Sequence, residues 1–137
     1  MNDCIFCKIV SGEIPSCLIY ENKEFKVILD KFPSSVGHVL IITKKHYSNI
    51  FEIDPEEAGR LFTLAVRVSA VMKKAMGFDG VNILQNNGEE AGQTIHHFHL
   101  HIIPRYKNDN VSIGWETLNP SEDELNNMCN KLSDLLR

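Results

Sequence analysis

The stretch His97-Phe98-His99-Leu100-His101-Ile102-Ile103-Pro104 alternates imidazoles with large apolar side chains. Alternation at period two predicts a half-buried β-strand. Phe98, Leu100 and Ile102 then point to the core. His97, His99 and His101 line the opposite face, at intervals of roughly 6.6 Å. Imidazole is the side chain best suited to act as ligand, base or nucleophile near neutral pH. The row therefore marks a candidate site as well as a strand.

Working outward from this strand, Leu18-Ile19-Tyr20 and Phe25 to Leu29 read as a hairpin that turns at Glu21-Asn22-Lys23. Val39-Leu40-Ile41-Ile42 is continuously apolar, as a central strand covered on both faces must be. Val81 to Gln85 is a further strand, and Cys4 to Val10 is one or two helical turns that stop at Ser11-Gly12. Asp54-Pro55-Glu56-Glu57 opens a helix: Asp54 caps, Pro55 fits the first turn, and Glu57 has capping-box spacing. Leu61, Leu64, Ala65, Val68, Met72 and Ala75 repeat at helical steps until Gly77, which predicts a helix of about 22 residues. A second capping box, Ser121 with Glu124, precedes a terminal helix whose stripe is Leu125, Met128, Leu132, Leu135 and Leu136.

Helices do not alternate with strands, so a doubly wound parallel sheet is disfavoured. The order predicts an α+β fold: an antiparallel sheet of about five strands, one long helix packed on one face, and a C-terminal helix. The imidazole row is expected on the face that the long helix leaves uncovered. At 137 residues the chain is expected to form a single domain, 1–137.

Composition narrows the function classes. The formal net charge is -4 and no Lys/Arg run is present, which argues against a nucleic-acid-coating role. No stretch is long and apolar enough to span a bilayer. Met1-Asn2-Asp3-Cys4 lacks the basic start and apolar run of a signal peptide. Cytoplasmic residence is the expectation, with the four cysteines as thiols or metal ligands rather than disulfides. Cys17 and Cys129 read as small buried hydrophobes.

Three aligned imidazoles admit two uses. Neighbours at i and i+2 can share a zinc ion, but the third lies ~13 Å from the first, so one strand does not make a three-His site. Cys4-Ile5-Phe6-Cys7 is open to three readings: half of a zinc site, a redox pair, or two ordinary cysteines. The second use is nucleophilic attack on phosphorus by a neutral ring whose other nitrogen donates to a fixed acceptor.

The run His-φ-His-φ-His-φ-φ, with φ apolar, resembles the signature of the histidine triad (HIT) family. Ile5-Phe6-x-Lys8-Ile9 with Glu13-Ile14-Pro15, Gly37-His38, Lys44-Lys45-His46, Asn87-Gly88 and Gly92-Gln93 extend the resemblance over residues 4–104. The longer tail after Pro104 is similar to bacterial Hit/Hint-like members. The resemblance implies a purine nucleoside phosphoramidase or nucleotide hydrolase. Such an enzyme acts at the α-phosphate through a nucleotidyl-histidine intermediate. It implies His99 as nucleophile, His101 on phosphate oxygens, and Gln93 and Thr94 at the phosphate or leaving group. It also implies Asn87 on the phosphate side, Asp30 on the ribose hydroxyls, and Phe6, Ile9, Ile14 and Leu40 around the base. The ring nitrogen of His99 opposite the attacking one is expected to donate to a backbone carbonyl near His38. Zinc-binding members imply a structural Zn2+ held by Cys4, Cys7, His46 and His97. Two-fold homodimers are common in the family. A dinucleoside polyphosphate hydrolase, or a nucleotide-binding scaffold with little turnover, are the alternatives that the same residues allow.

Overall fold

The computed structural model describes residues 3–137. Met1 and Asn2, where the reading for a leader began, lie outside the described residues. Helix α1 (Ile5–Ser11) precedes the hairpin β1 (Leu18–Glu21) and β2 (Phe25–Leu29). Strand β3 (Val39–Thr43), helix α2 (Pro55–Met76) and strand β4 (Gly80–Leu84) follow. A single 3-10 turn at Glu89–Ala91, strand β5 (His99–Arg105) and helix α3 (Glu122–Leu136) complete the order. The five strands form one sheet in the order β1-β2-β3-β5-β4, with every neighbouring pair antiparallel. Among the described residues no helix is long and apolar enough to cross a membrane.

Period-two alternation divides the sheet into two faces. In the β3–β5 register, Ile41 sits opposite Leu100 and Val39 opposite Ile102, whereas Leu40 faces His101 and Ile42 faces His99. The first set joins Phe98, Val27 and Phe25 in a core capped by Leu61, Leu64, Ala65 and Met72 of α2. The second set, with Ile28, packs under Phe6 and Ile9 of α1. All five residues of β3 are buried, as a central strand covered on both faces requires. The imidazole face is thus not bare: α2 leaves it free, but α1 covers it, and His97 is completely buried.

Helix α2 starts and stops where its caps dictate. Asp54 accepts from the Glu57 amide at 3.0 Å, and Gly77 closes the helix at φ +67°. The box is not reciprocal, because the Glu57 carboxylate turns inward and accepts from the Tyr47 hydroxyl at 3.1 Å. At α3 both halves of the box form, between Ser121 and Glu124.

Two expectations need correction. The triad strand begins at His99, not His97. The His97 amide closes a tight turn onto the Ile95 carbonyl (2.9 Å), and the Phe98 amide reaches the Tyr47 carbonyl (2.7 Å) instead of β3. Cys17 and Cys129 are exposed, not buried. Cys17 precedes an edge strand whose four residues are all exposed, and Cys129 lies on a helix with no buried residue.

Candidate active site and metal centre

Strands β3 and β5 and the residues flanking them bring five histidines into one row of contacts, in the order His46, His97, His99, His101 and His38. Ring protonation follows from what each nitrogen faces, since a carbonyl only accepts and an amide only donates. His99 Nδ1–H donates to the backbone carbonyl of His97 at 2.6 Å. Its Nε2 is thereby left with the lone pair. The Phe6 ring meets His99 edge-on at 4.9 Å, and the His101 ring also stands 4.9 Å from it. Burial pushes the His99 pKa down, against the opposing effect of the carbonyl hydrogen bond. A neutral imidazole with a defined free nitrogen is what nucleophilic attack requires. The expected carbonyl near His38 is not the one used. The His97–His99 repeat itself folds the carbonyl of residue i onto the ring of residue i+2.

His101 is fixed from behind by His38. The Ser34 amide donates to His38 Nδ1 at 3.0 Å, so the His38 proton sits on Nε2. That Nε2–H donates to His101 Nδ1 at 2.9 Å. His101 therefore carries its own proton on Nε2, as a donor to an anionic oxygen. Burial, then the neighbouring His99 and His38, push the His101 pKa down to about 4. Asp30 Oδ2 lies 3.5 Å from His38 Nε2, and Oδ1 accepts from the Phe32 amide at 2.9 Å. Burial lowers the His38 pKa, and the Asp30 carboxylate acts in the opposite sense. Gly37, at φ +86°, sets the approach into β3: a Cβ there would collide with the Met76 side chain.

Asp30, His38 and His101 also meet the geometric outline of a cation site. The hydrogen bonds oppose that use. A neutral imidazole has one lone pair, and that of His38 already accepts from Ser34. The trio is better described as a proton-ordered chain.

The second cluster has the opposite character. Helix α1 places Cys4 and Cys7 over the buried His97, and the segment after β3 brings His46. Their four ligand atoms lie within 4.8 Å of one another. Cys4 Sγ and Cys7 Sγ are 3.3 and 3.5 Å from His97 Nδ1, and Cys7 Sγ is 3.2 Å from His46 Nδ1. The two Nδ1 atoms are 3.1 Å apart. Ligands around a tetrahedral zinc ion stand roughly 3.3–3.8 Å apart by bond-length geometry, so the donor set fits one. His97 Nε2–H donates to the Thr43 carbonyl at 2.7 Å, which commits its Nδ1 lone pair to the cluster. Burial lowers the His97 pKa to about 4, so a proton is a poor substitute for a cation between the two rings.

The remaining candidates divide. Phe6, Ile9 and Leu40 are buried together, with Ile14 at the edge of their cluster. Both ends of the Gln93 amide are engaged: Oε1 accepts from the Gly88 amide (2.8 Å), and Nε2 donates to the Ser48 and Ile95 carbonyls (2.7 and 3.1 Å). Asn87 accepts from the Ile50 amide at 2.6 Å and pairs with Gln85. These two side chains hold the loop before the triad. Thr94 is exposed on that loop. His38 is the side chain that sequence reasoning did not single out, although Gly37-His38 was the available signal.

Comparison with known proteins comes to the same region. The HIT domain family model matches residues 11–108. An adenosine 5'-monophosphoramidase of Schizosaccharomyces pombe is 35% identical over 135 residues, covering 98% of each chain. An adenylylsulfatase of Arabidopsis thaliana is 45% identical over 108 residues, covering 79% of this chain and 55% of that protein. The crystal structure of a HIT family protein from Bacillus anthracis superposes over 99% of both chains, at a TM-score of 0.92 and 34% identity.

Proposed function

This chain belongs to the HIT family, and on that premise we propose that it is a nucleotide hydrolase. Its preferred substrates in this reading are purine nucleoside phosphoramidates, cleaved through a nucleotidyl-His99 intermediate. The observation that carries the reading is the 2.6 Å bond from His99 Nδ1 to the His97 carbonyl, which leaves Nε2 as the free nucleophile. The two relatives described above, named as a phosphoramidase and an adenylylsulfatase, support cleavage at a nucleotide α-phosphate.

His99 Nε2 forms a bond to the α-phosphorus while the bond to the leaving nitrogen breaks. The leaving group takes the electron pair and a proton from water. His101 Nε2–H donates to a non-bridging phosphate oxygen, and the His38–His101 bond keeps that proton pointing forward. Water then adds to phosphorus as the nitrogen–phosphorus bond breaks and its electron pair returns to Nε2; the proton released neutralises the hydroxide left by the first step, and the monophosphate departs from neutral His99. Asp30 accepts from the ribose hydroxyls through Oδ2, and Ile14, backed by Phe6, Ile9 and Leu40, forms the base wall. Thr94 meets the leaving group, on a loop braced by Asn87 and Gln93. Cys4, Cys7, His46 and His97 would hold a structural Zn2+. Bound there, the ion would cross-link α1 to the segment after β3, apart from the bonds that break, while the His97 carbonyl orients His99.

The protein acts as a homodimer in the cytoplasm in this reading. Support for pairing is an apolar groove between α2 and the edge strand β4, lined by Phe62, Val66, Val81 and Ile83. Turnover of an adenosine phosphoramidate tests the enzyme: AMP release is expected, with His99→Ala losing it but still binding nucleotide. Equal turnover by wild type and variant rejects the nucleophile. A higher kcat/KM on a dinucleoside tetraphosphate would move the assignment to polyphosphate hydrolysis. Binding without release by the wild type would make it a nucleotide-binding scaffold.

A further inference from the structure

Glu57 heads the buried stripe of α2, four residues before Leu61 and seven before Leu64. It is only 6% exposed. Its Oε1 accepts from the Tyr47 hydroxyl at 3.1 Å, and its Oε2 is buried with no hydrogen-bond partner. An unpartnered carboxylate oxygen is costly in a core, and an apolar side chain of similar size would fill the stripe without that cost. Capping does not require the Glu57 side chain either, because Asp54 already satisfies the Glu57 amide. What the carboxylate supplies is the bond to Tyr47.

Tyr47 stands at a junction. His46, just before it, belongs to the candidate metal centre. The carbonyl of Ser48, just after it, accepts from Gln93 at 2.7 Å. The carbonyl of Tyr47 itself accepts the Phe98 amide at 2.7 Å. That N–H and the His97 carbonyl are the two ends of one planar peptide group. The His97 end receives His99 Nδ1–H at 2.6 Å. A continuous chain therefore runs from the His99 ring through the 97–98 peptide to the Tyr47 main chain, and each bond in it polarises the next. The Tyr47 side chain is tied at its far end to Glu57.

We propose that Glu57 is a positioning residue for His99. Through Tyr47 it fixes the plane of the 97–98 peptide, and with it the direction of the carbonyl that holds the His99 proton on Nδ1. The inference rests on the reading of His99 as nucleophile. It adds a residue from the α2 core, on the opposite face of the sheet from the imidazole row. A tilt of that plane loosens the ring without touching Asp30 or the base wall, so kcat responds and KM does not.

The test compares the full-length wild type with Glu57→Leu, Glu57→Gln, Tyr47→Phe and Glu57→Leu/Tyr47→Phe. Turnover of an adenosine phosphoramidate is measured per folded molecule. The His99 Nδ1–H resonance, identified by its loss in His99→Ala, is followed by NMR without substrate. Glu57→Leu is expected to keep its Tm, lose kcat about tenfold and hold KM within about twofold, with the Nδ1–H resonance shifted upfield. Glu57→Gln keeps an acceptor for the hydroxyl and should recover most of the loss. Tyr47→Phe should match Glu57→Leu, and the double variant should be no worse than either, as residues acting through one bond require. Tyr47→Phe removes a single oxygen, and decides the question if Glu57→Leu does not fold. Wild-type kcat and an unmoved resonance in Tyr47→Phe would overturn the proposal. So would additive losses in the double variant, or Glu57→Gln as impaired as Glu57→Leu. A wild type without turnover whose resonance still moves in the variants would reject the hydrolase reading and keep the positioning role.

Discussion

The backbone carbonyl of His97 accepts the Nδ1–H of His99 at 2.6 Å, while the His97 ring lies in the Cys4–Cys7–His46 cluster. One residue therefore belongs to the candidate metal centre through its side chain and to His99, the proposed nucleophile, through its main chain. Losing the metal centre is expected to act on catalysis without touching any group that meets substrate. His46→Ala removes a ligand remote from the phosphate. It should lower kcat by ~10–100-fold and stability by about 2–4 kcal/mol, with bound zinc lost by elemental analysis. Wild-type protein prepared without chelators should carry one zinc per chain. Full kcat in a zinc-free His46→Ala protein would separate the two sites.

His38 is a positioning residue in the chain Ser34–His38–His101. His38→Ala leaves His101 free to place its proton on either nitrogen, and should reduce kcat by about tenfold or more with little change in KM. A glutamine carries both an acceptor for the Ser34 amide and a donor for His101. His38→Gln should therefore recover much of the loss. Equal defects in the two variants would point to packing instead of proton order.

Gly37 combines φ +86° with a Cβ position already filled by Met76. Gly37→Ala should cost about 1–3 kcal/mol, read as a lowered Tm. It should also reduce kcat, because the residue immediately precedes His38. An unchanged Tm would show that the loop adjusts freely.

Asp109 receives Arg105 Nε at 2.8 Å and the amides of Tyr106 and Val111 at 2.9 and 3.0 Å. The guanidinium and then the amides hold its carboxyl far below the usual carboxylate range. A carboxyl whose pKa is lowered by folding stabilises the native state above its unfolded value. That stabilisation is lost as the pH falls through the folded value. Asp109→Asn should therefore be less stable than wild type at neutral pH, with the gap in Tm narrowing below about pH 4. A gap independent of pH would assign the effect to hydrogen-bond geometry alone.

Much of this arrangement was legible in the chain. Period two in 97–103 separates His99 and His101 from Leu100 and Ile102, and the β3–β5 register keeps them on opposite faces. The Asp54 and Gly77 caps bound α2 as expected. What escaped depends on contacts that are distant in sequence. The turn that takes His97 out of the ladder ends on Ile95, and Phe98 pairs with Tyr47. The Glu57 carboxylate finds Tyr47 in place of its own helix terminus. Gln93 meets Ser48 across 45 positions, and His38 meets His101 across 63. Local pattern announces residue types and faces; it does not announce which carbonyl or ring a polar side chain will find.

The pairing of Ile42 with His99 and Leu40 with His101 has a consequence for how such a site can change. A slip of one residue between β3 and β5 would send Phe98 and Leu100 out of the α2 core and drive imidazoles into it. A single residue inserted in the strand inverts every side chain beyond it unless a bulge takes it up. Change in reach or selectivity is confined to the flanks: the 86–96 loop, the 30–37 segment, and the arm beyond residue 108.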